Sequence, residues 1–115
     1  MIKPGKVYYG IVHDDNGKPS FDEWVVRTVR GGKVTAILKA SFTWGKRSTK
    51  AGDYGWLPRI PAWCRTTWRI DREPFGIFTT KLQAVRHELK TTEPDDFDQP
   101  EQYDRFMAGL KRMKT

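Results

Sequence analysis

Residues 24–42 decide the fold, and they read Trp24-Val-Val-Arg-Thr-Val-Arg30-Gly-Gly-Lys33-Val-Thr-Ala-Ile-Leu38-Lys-Ala-Ser-Phe42. Two runs rich in β-branched and aromatic residues flank the Gly31-Gly32 pair, which is typical of strands joined by a tight turn. Glycine permits the positive φ that a two-residue hairpin needs. The stretch therefore predicts a hairpin of residues 24–29 and 34–42. Alternation in the second run gives the predicted core face: Val34, Ala36, Leu38, Ala40 and Phe42.

Further strands are predicted on both sides of this hairpin. Residues 7–12 form the first strand, and Asn16-Gly17 signals a tight turn that follows it. On the other side, residues 63–70 and 75–78 are also rich in strand-forming residues. The fold class is therefore α+β, with an antiparallel sheet of about five strands. A strongly bent or barrel-like sheet is compatible with the same pattern.

Two helices are predicted after the sheet. Thr80 and Gln83 have the spacing of a capping box and start a helix over residues 80–90. A second helix over residues 99–112 is predicted to be capped by Asp98, with Pro100 and Glu101 in its first turn. Its apolar stripe has helical spacing and comprises Tyr103, Phe106, Met107 and Leu110.

The expected organisation has two parts. Residues 1–92 form a sheet-plus-helix domain, and residues 93–115 form an acidic linker and a C-terminal helix docked on the same domain. The apolar faces of the elements predict one shared core. Its central members are expected to be Leu38, Trp68, Phe78 and Leu82.

Composition limits the function classes. A single cysteine, Cys64, excludes an internal disulfide and a cysteine-based metal site. The acidic run from His13 to Gly17 fails the calcium-loop pattern, because the first ligand position would be Val12. No catalytic motif is found, so we expect no enzymatic activity, no catalytic residues, no cofactor and no metal. No apolar run suits a membrane span, and a cytoplasmic location is expected.

A basic and aromatic stretch dominates the middle of the chain. Residues 27–72 contain eleven cations and two acids, within a net charge of +7 for all 115 residues. A long loop is predicted over residues 45–61, and residues 65, 67 and 69 alternate on one strand face. Cations neutralise phosphates, and exposed aromatic rings stack on unpaired bases. We therefore expect non-catalytic binding of DNA or RNA through residues 44–69, by Lys46, Arg47, Lys50, Trp56, Arg59, Trp63, Arg65 and Arg69.

A second class of function fits the same composition. Exposed aromatic and arginine side chains also anchor protein–protein interfaces. The alternative is therefore a small cytosolic interaction module or inhibitor that binds another protein. Such a module would use the same aromatic and arginine surface or the C-terminal helix.

Overall fold

A computed structural model of the chain describes residues 2–39 and 64–115. The described strands are β1 (Val7–His13), β2 (Pro19–Arg30), β3 (Lys33–Leu38) and β4 (Arg65–Arg69). After them come α1 (Lys81–Thr91), a short 3-10 helix (Pro94–Asp96) and α2 (Pro100–Arg112). The strands lie side by side in the order β1-β2-β3-β4. The α+β class with an antiparallel sheet is therefore confirmed.

Four strands are present in the described residues, where about five were expected. In the described part of the chain, residues 75–78 contribute only an isolated antiparallel bridge between Phe78 and Tyr9. Gly76 has a φ of +76°, which interrupts the extended backbone, and Phe75 is 99% exposed. The predicted fifth strand is therefore wrong. The predicted loop at 45–61 and the strand end at 40–42 lie outside the described residues.

Contacts divide the chain into two compact units. The first unit comprises Met1–Tyr8 and Glu23–Phe75, and the second comprises Tyr9–Asp22 and Gly76–Thr115. The strands β1 and β2 each have residues in both units. The expected boundary at residue 93 stays a prediction.

In the first unit, β2 and β3 form the hairpin predicted from the sequence. Arg30 pairs with Lys33 across the Gly31-Gly32 turn, where both glycines have positive φ. The register shifts between Val26 and Thr28, which leaves one extra residue in β2 as a β-bulge. The buried side chains of this unit are those of Tyr8, Val26, Val34, Ala36, Ile37, Cys64 and Trp68.

The predicted core set is only partly correct. Trp68 is buried, whereas Leu38 and Phe78 are half-buried and Leu82 is 41% exposed. For Leu82 the reason lies in the second unit, where Val85 of α1 joins a cluster with Phe106 and Leu110. This contact buries Ala84 and Val85 and leaves Leu82 at the solvent edge of the helix.

The helix α2 has the predicted apolar stripe but a different cap. Phe106 and Leu110 are 2% and 1% exposed, while Tyr103 and Met107 are half-buried. The cap is Gln99 rather than Asp98, and its backbone N–H donates to the side chain of Gln102 at 2.9 Å. The side-chain amide of Gln102 thus accepts the hydrogen bond of the cap residue's N–H. The sequence had predicted this role for Glu101, three residues after Asp98.

Candidate nucleic-acid interface

A row of three cations crosses the first unit's sheet. Arg30 of β2 pairs with Lys33 of β3, and Lys33 pairs with Arg69 of β4. Directly paired side chains point to the same face of a sheet, with Cβ atoms roughly 5 Å apart. All three side chains are exposed. We call this side of the sheet the outer face, and it concentrates positive charge without any acid in the row.

Threonines form the next row of the outer face. Thr28 pairs with Thr35, and Thr35 pairs with Thr67. The hydroxyls of Thr35 and Thr67 share a hydrogen bond of 3.2 Å. A hydroxyl can donate one hydrogen bond and accept others, so this row can also serve phosphate or sugar oxygens.

The third row of the outer face is mixed. Val25 pairs with Ile37, and Ile37 pairs with Arg65. Arg65 is exposed, whereas Ile37 is buried. The outer face therefore has cations at both ends of β4, with a threonine between them.

The opposite side of β4 carries Thr66 and Trp68 and faces the core, as the alternation predicts. Trp68 is buried, and its ring lies 5.2 Å from that of Tyr8 in an edge-to-face arrangement. Burial raises the pKa of the Tyr8 phenol, because the charged form would lose its contact with water. The two faces of the strand thus divide into a packed aromatic side and a basic exposed side.

One cation of the outer face is already paired. Arg69 Nε donates to Asp71 Oδ1 at 3.1 Å, and its Nη2 donates to Asp71 Oδ2 at 2.8 Å. Both side chains are more than half exposed. An exposed pair of this kind contributes only about 0–1 kcal/mol, because water competes for both groups. Asp71 therefore orients the guanidinium and leaves it available to a stronger anion.

The structure describes two of the eight residues expected at the site. Arg65 and Arg69 lie on the same exposed strand face, as expected. The other six lie outside the described residues, and they are Lys46, Arg47, Lys50, Trp56, Arg59 and Trp63.

Two cations of the outer face were missed by the sequence reasoning. Arg30 and Lys33 flank the Gly31-Gly32 turn, and a two-residue turn places its flanking residues opposite each other. The signal was therefore present in the predicted hairpin. The sequence pattern does not give the register between β3 and β4, which places Lys33 beside Arg69.

Comparison of the chain with protein-family models, with curated proteins and with solved structures finds no match. In the described part of the chain, no helix has the length and apolar content to cross a membrane.

The acidic turn of the second unit has a structural explanation. The Asp14 carboxylate accepts hydrogen bonds from the backbone N–H groups of Asn16 and Lys18, each at 2.9 Å. The bond from Lys18 is the largest cause of a lowered pKa for Asp14. This carboxylate stabilises a turn in which Gly17 has a φ of +89°.

Proposed function

We propose that the outer face of the first unit binds nucleic acid without catalysing a reaction. The supporting observation is the cross-strand row of Arg30, Lys33 and Arg69. Three exposed cations at strand spacing present positive charge about 10 Å wide, since neighbouring strands lie roughly 4.8 Å apart. Phosphates of a nucleic-acid backbone offer the matching anions.

The residues of the outer face would divide the work. Arg30, Lys33 and Arg65 would neutralise phosphates, and the threonine row would hydrogen-bond the backbone. Arg69 would exchange Asp71 for a phosphate, which accepts two parallel hydrogen bonds from a guanidinium in the same way. The proposal keeps the expected contributions of the basic loop residues Lys46, Arg47, Lys50 and Arg59, and base stacking by Trp56 and Trp63. It also keeps the expected cytoplasmic location.

The first test measures binding of labelled single- and double-stranded oligonucleotides at two salt concentrations. With about four to six phosphate contacts, affinity should fall by roughly two to three decades between about 50 and 200 mM salt. A flat response to salt would rule out phosphate contacts as the source of affinity.

The second test locates the site with matched charge changes. Arg30→Gln with Lys33→Gln removes two charges from the outer face, and Lys111→Gln with Lys114→Gln removes two exposed charges from the end of the chain. The first pair should weaken binding by about tenfold or more and reduce the salt slope by roughly two. Equal losses in both pairs would show that only the net charge matters.

Arg65→Ala with Arg69→Ala tests the same face from β4. We expect weaker binding and an unchanged unfolding midpoint, because both side chains are exposed. Wild-type binding would remove β4 from the interface, and an unfolded variant would show that these arginines are structural.

A protein partner is the competing outcome of these tests. A complex with one protein that persists at high salt, without oligonucleotide binding, would replace the proposal. The apolar stripe of α2 does not favour that outcome, because Phe106 and Leu110 are buried within the second unit.

A further inference from the structure

A concave pocket lies in the second unit, between the start of β2 and the last two turns of α2. Its volume is about 640 Å³. Ligand pockets in proteins usually measure roughly 300–1,000 Å³. All residues of the pocket belong to the second unit, whereas the outer face belongs to the first unit.

A close approach between helix and strand shapes this pocket. A Cβ atom on Gly109 would lie 2.5 Å from Cδ of Pro19, so the backbone of α2 lies directly against the proline ring. Pro19 is buried by this approach. The neighbouring residue, Ala108, is exposed and has only a methyl group. The small side chains leave an open space beside the contact.

The floor of the pocket is mainly apolar. Pro19, Ala108 and Met113 contribute apolar atoms to this lining. Met113 is half-buried and follows the last residue of α2. Apolar floors with a few polar groups at the edge are typical of sites for small organic molecules.

The rim of the pocket is basic. Lys18, Arg105 and Arg112 line it, and among the described lining residues Asp104 is the only acid. Arg105 is held in place because its Nη1 donates to the backbone oxygen of Asn16 at 2.9 Å. A net positive rim attracts anions, whereas an apolar floor contributes only to a ligand that has an apolar part.

We propose that this pocket binds a small organic anion. The apolar body of the ligand covers Pro19, Ala108 and Met113, and its carboxylate, sulfonate or phosphate group faces Arg105 and Arg112. A simple inorganic anion would use the rim alone and leave the floor exposed to water. Both parts of the ligand are therefore required.

The experiment compares two fluorescent dyes that share one ring system. Anilinonaphthalenesulfonate carries a negative charge, and N-phenylnaphthylamine lacks it. We expect saturable binding of the charged dye at one site per chain. The affinity for the neutral dye should be lower by about fivefold or more. Absence of a saturable site for the charged dye, or equal affinities for both dyes, would overturn the proposal.

Three variants locate the bound dye. Ala108→Trp should weaken binding by about tenfold or more, because the indole would occupy part of the pocket. Arg112→Gln should weaken the charged dye by about threefold and leave the neutral dye unchanged. Lys111→Gln is the matched control, since it removes one exposed charge from the same turn outside the pocket. Equal behaviour of Arg112→Gln and Lys111→Gln would contradict the assignment of the rim.

Methionine methyl signals supply a readout that does not depend on substitution. Of the two methionines that the structure describes, Met107 and Met113, Met113 alone lines the pocket. In a nuclear magnetic resonance spectrum of isotope-labelled methyl groups, the charged dye should shift the Met113 signal and leave the Met107 signal in place, because Met107 is not among the lining residues. A shift of both signals, or of none, would overturn the assignment. The Ala108→Trp and wild-type unfolding midpoints should agree, which excludes dye binding to unfolded chains.

Discussion

Two turns of this protein both contain glycines with positive φ but have opposite surroundings. The first turn contains Gly17, and the second contains Gly31 and Gly32, all with positive φ. A Cβ atom on Gly17 would overlap the backbone of Gln102 in α2. A Cβ atom on Gly31 or Gly32 would meet nothing within 4 Å. The same sequence signal thus serves a packed turn in one place and an open one in the other.

The difference between the turns follows from what lies beside each of them. At the first turn, Gln102 Nε2 donates to the backbone oxygen of Asp15 at 2.7 Å, and Arg105 bonds to the next carbonyl. At the second turn, Arg30 and Lys33 flank the glycines and face solvent. A turn held by a helix is suited to fix the fold, and an open turn is suited to present charge to a partner.

The largest effect is expected for Gly17→Ala. The substitution places a side chain on a residue with positive φ, which strains the backbone. The new Cβ atom would also overlap the backbone of Gln102, which cannot move aside as a flexible side chain could. We expect a loss of about 2–4 kcal/mol in the free energy of unfolding, measured by denaturant titration. A loss below about 1 kcal/mol would mean that α2 does not pack on this turn.

A smaller effect is expected for Gly32→Ala. Here only the strain of a positive φ applies, and the expected loss is about 1–2 kcal/mol. The comparison between the two variants isolates the contribution of the packed helix. If both substitutions lower the free energy of unfolding equally, the contact between the first turn and α2 does not contribute to stability.

Gln102→Ala should cost less again, about 0.5–1.5 kcal/mol, because one side chain bonds both to Asp15 and to the cap residue Gln99. Lys111→Ala is the control, since Lys111 is exposed in the same helix. Denaturant titration of both variants measures the difference. Equal stabilities would show that the bonds of Gln102 exchange with water at no cost.

The smallest effect concerns the charge of Asp14. Backbone N–H groups, first that of Lys18, hold its pKa below the ordinary value of 3.8. A lowered pKa means that the carboxylate stabilises the fold above pH 3.8 and that this contribution disappears as the pH falls through the folded-state value. Asp14→Asn should therefore lower the thermal midpoint slightly at neutral pH and leave it unchanged in strong acid. A difference that persists in acid would come from hydrogen-bond geometry instead of charge.

Local chemistry explains which parts of the fold could be predicted. The turns at Gly17 and Gly31 follow from the need for positive φ, and the cap at Thr80 follows from its spacing to Gln83, whose N–H donates to Thr80 Oγ1 at 3.2 Å. The alternation of Arg65 and Arg69 opposite Trp68 follows from the period of a strand. All of these features are decided within a few residues of the chain.

The errors share a different origin. Leu82 lies on the apolar stripe of α1. The side of α1 that is buried is a neighbouring one, where Val85 packs against Phe106 and Leu110. The pairing of Lys33 with Arg69 depends on a register between strands that are far apart in sequence. Neither the packing partner of a helix nor the register of distant strands is encoded by spacing in one segment. The six expected site residues between 46 and 63 stay predictions.

The bulge in β2 affects how the chain can change in length. Val26 pairs with Ala36 and Thr28 pairs with Thr35, so the register gives residue 27 of β2 no paired residue in β3. Loss of one residue at position 27 would leave a regular ladder, with Val26 and Thr28 still on their own faces. Loss of one residue from β3, by contrast, would turn every later side chain of that strand to the wrong face. Homologous chains that are one residue shorter are therefore expected to have their gap at this position.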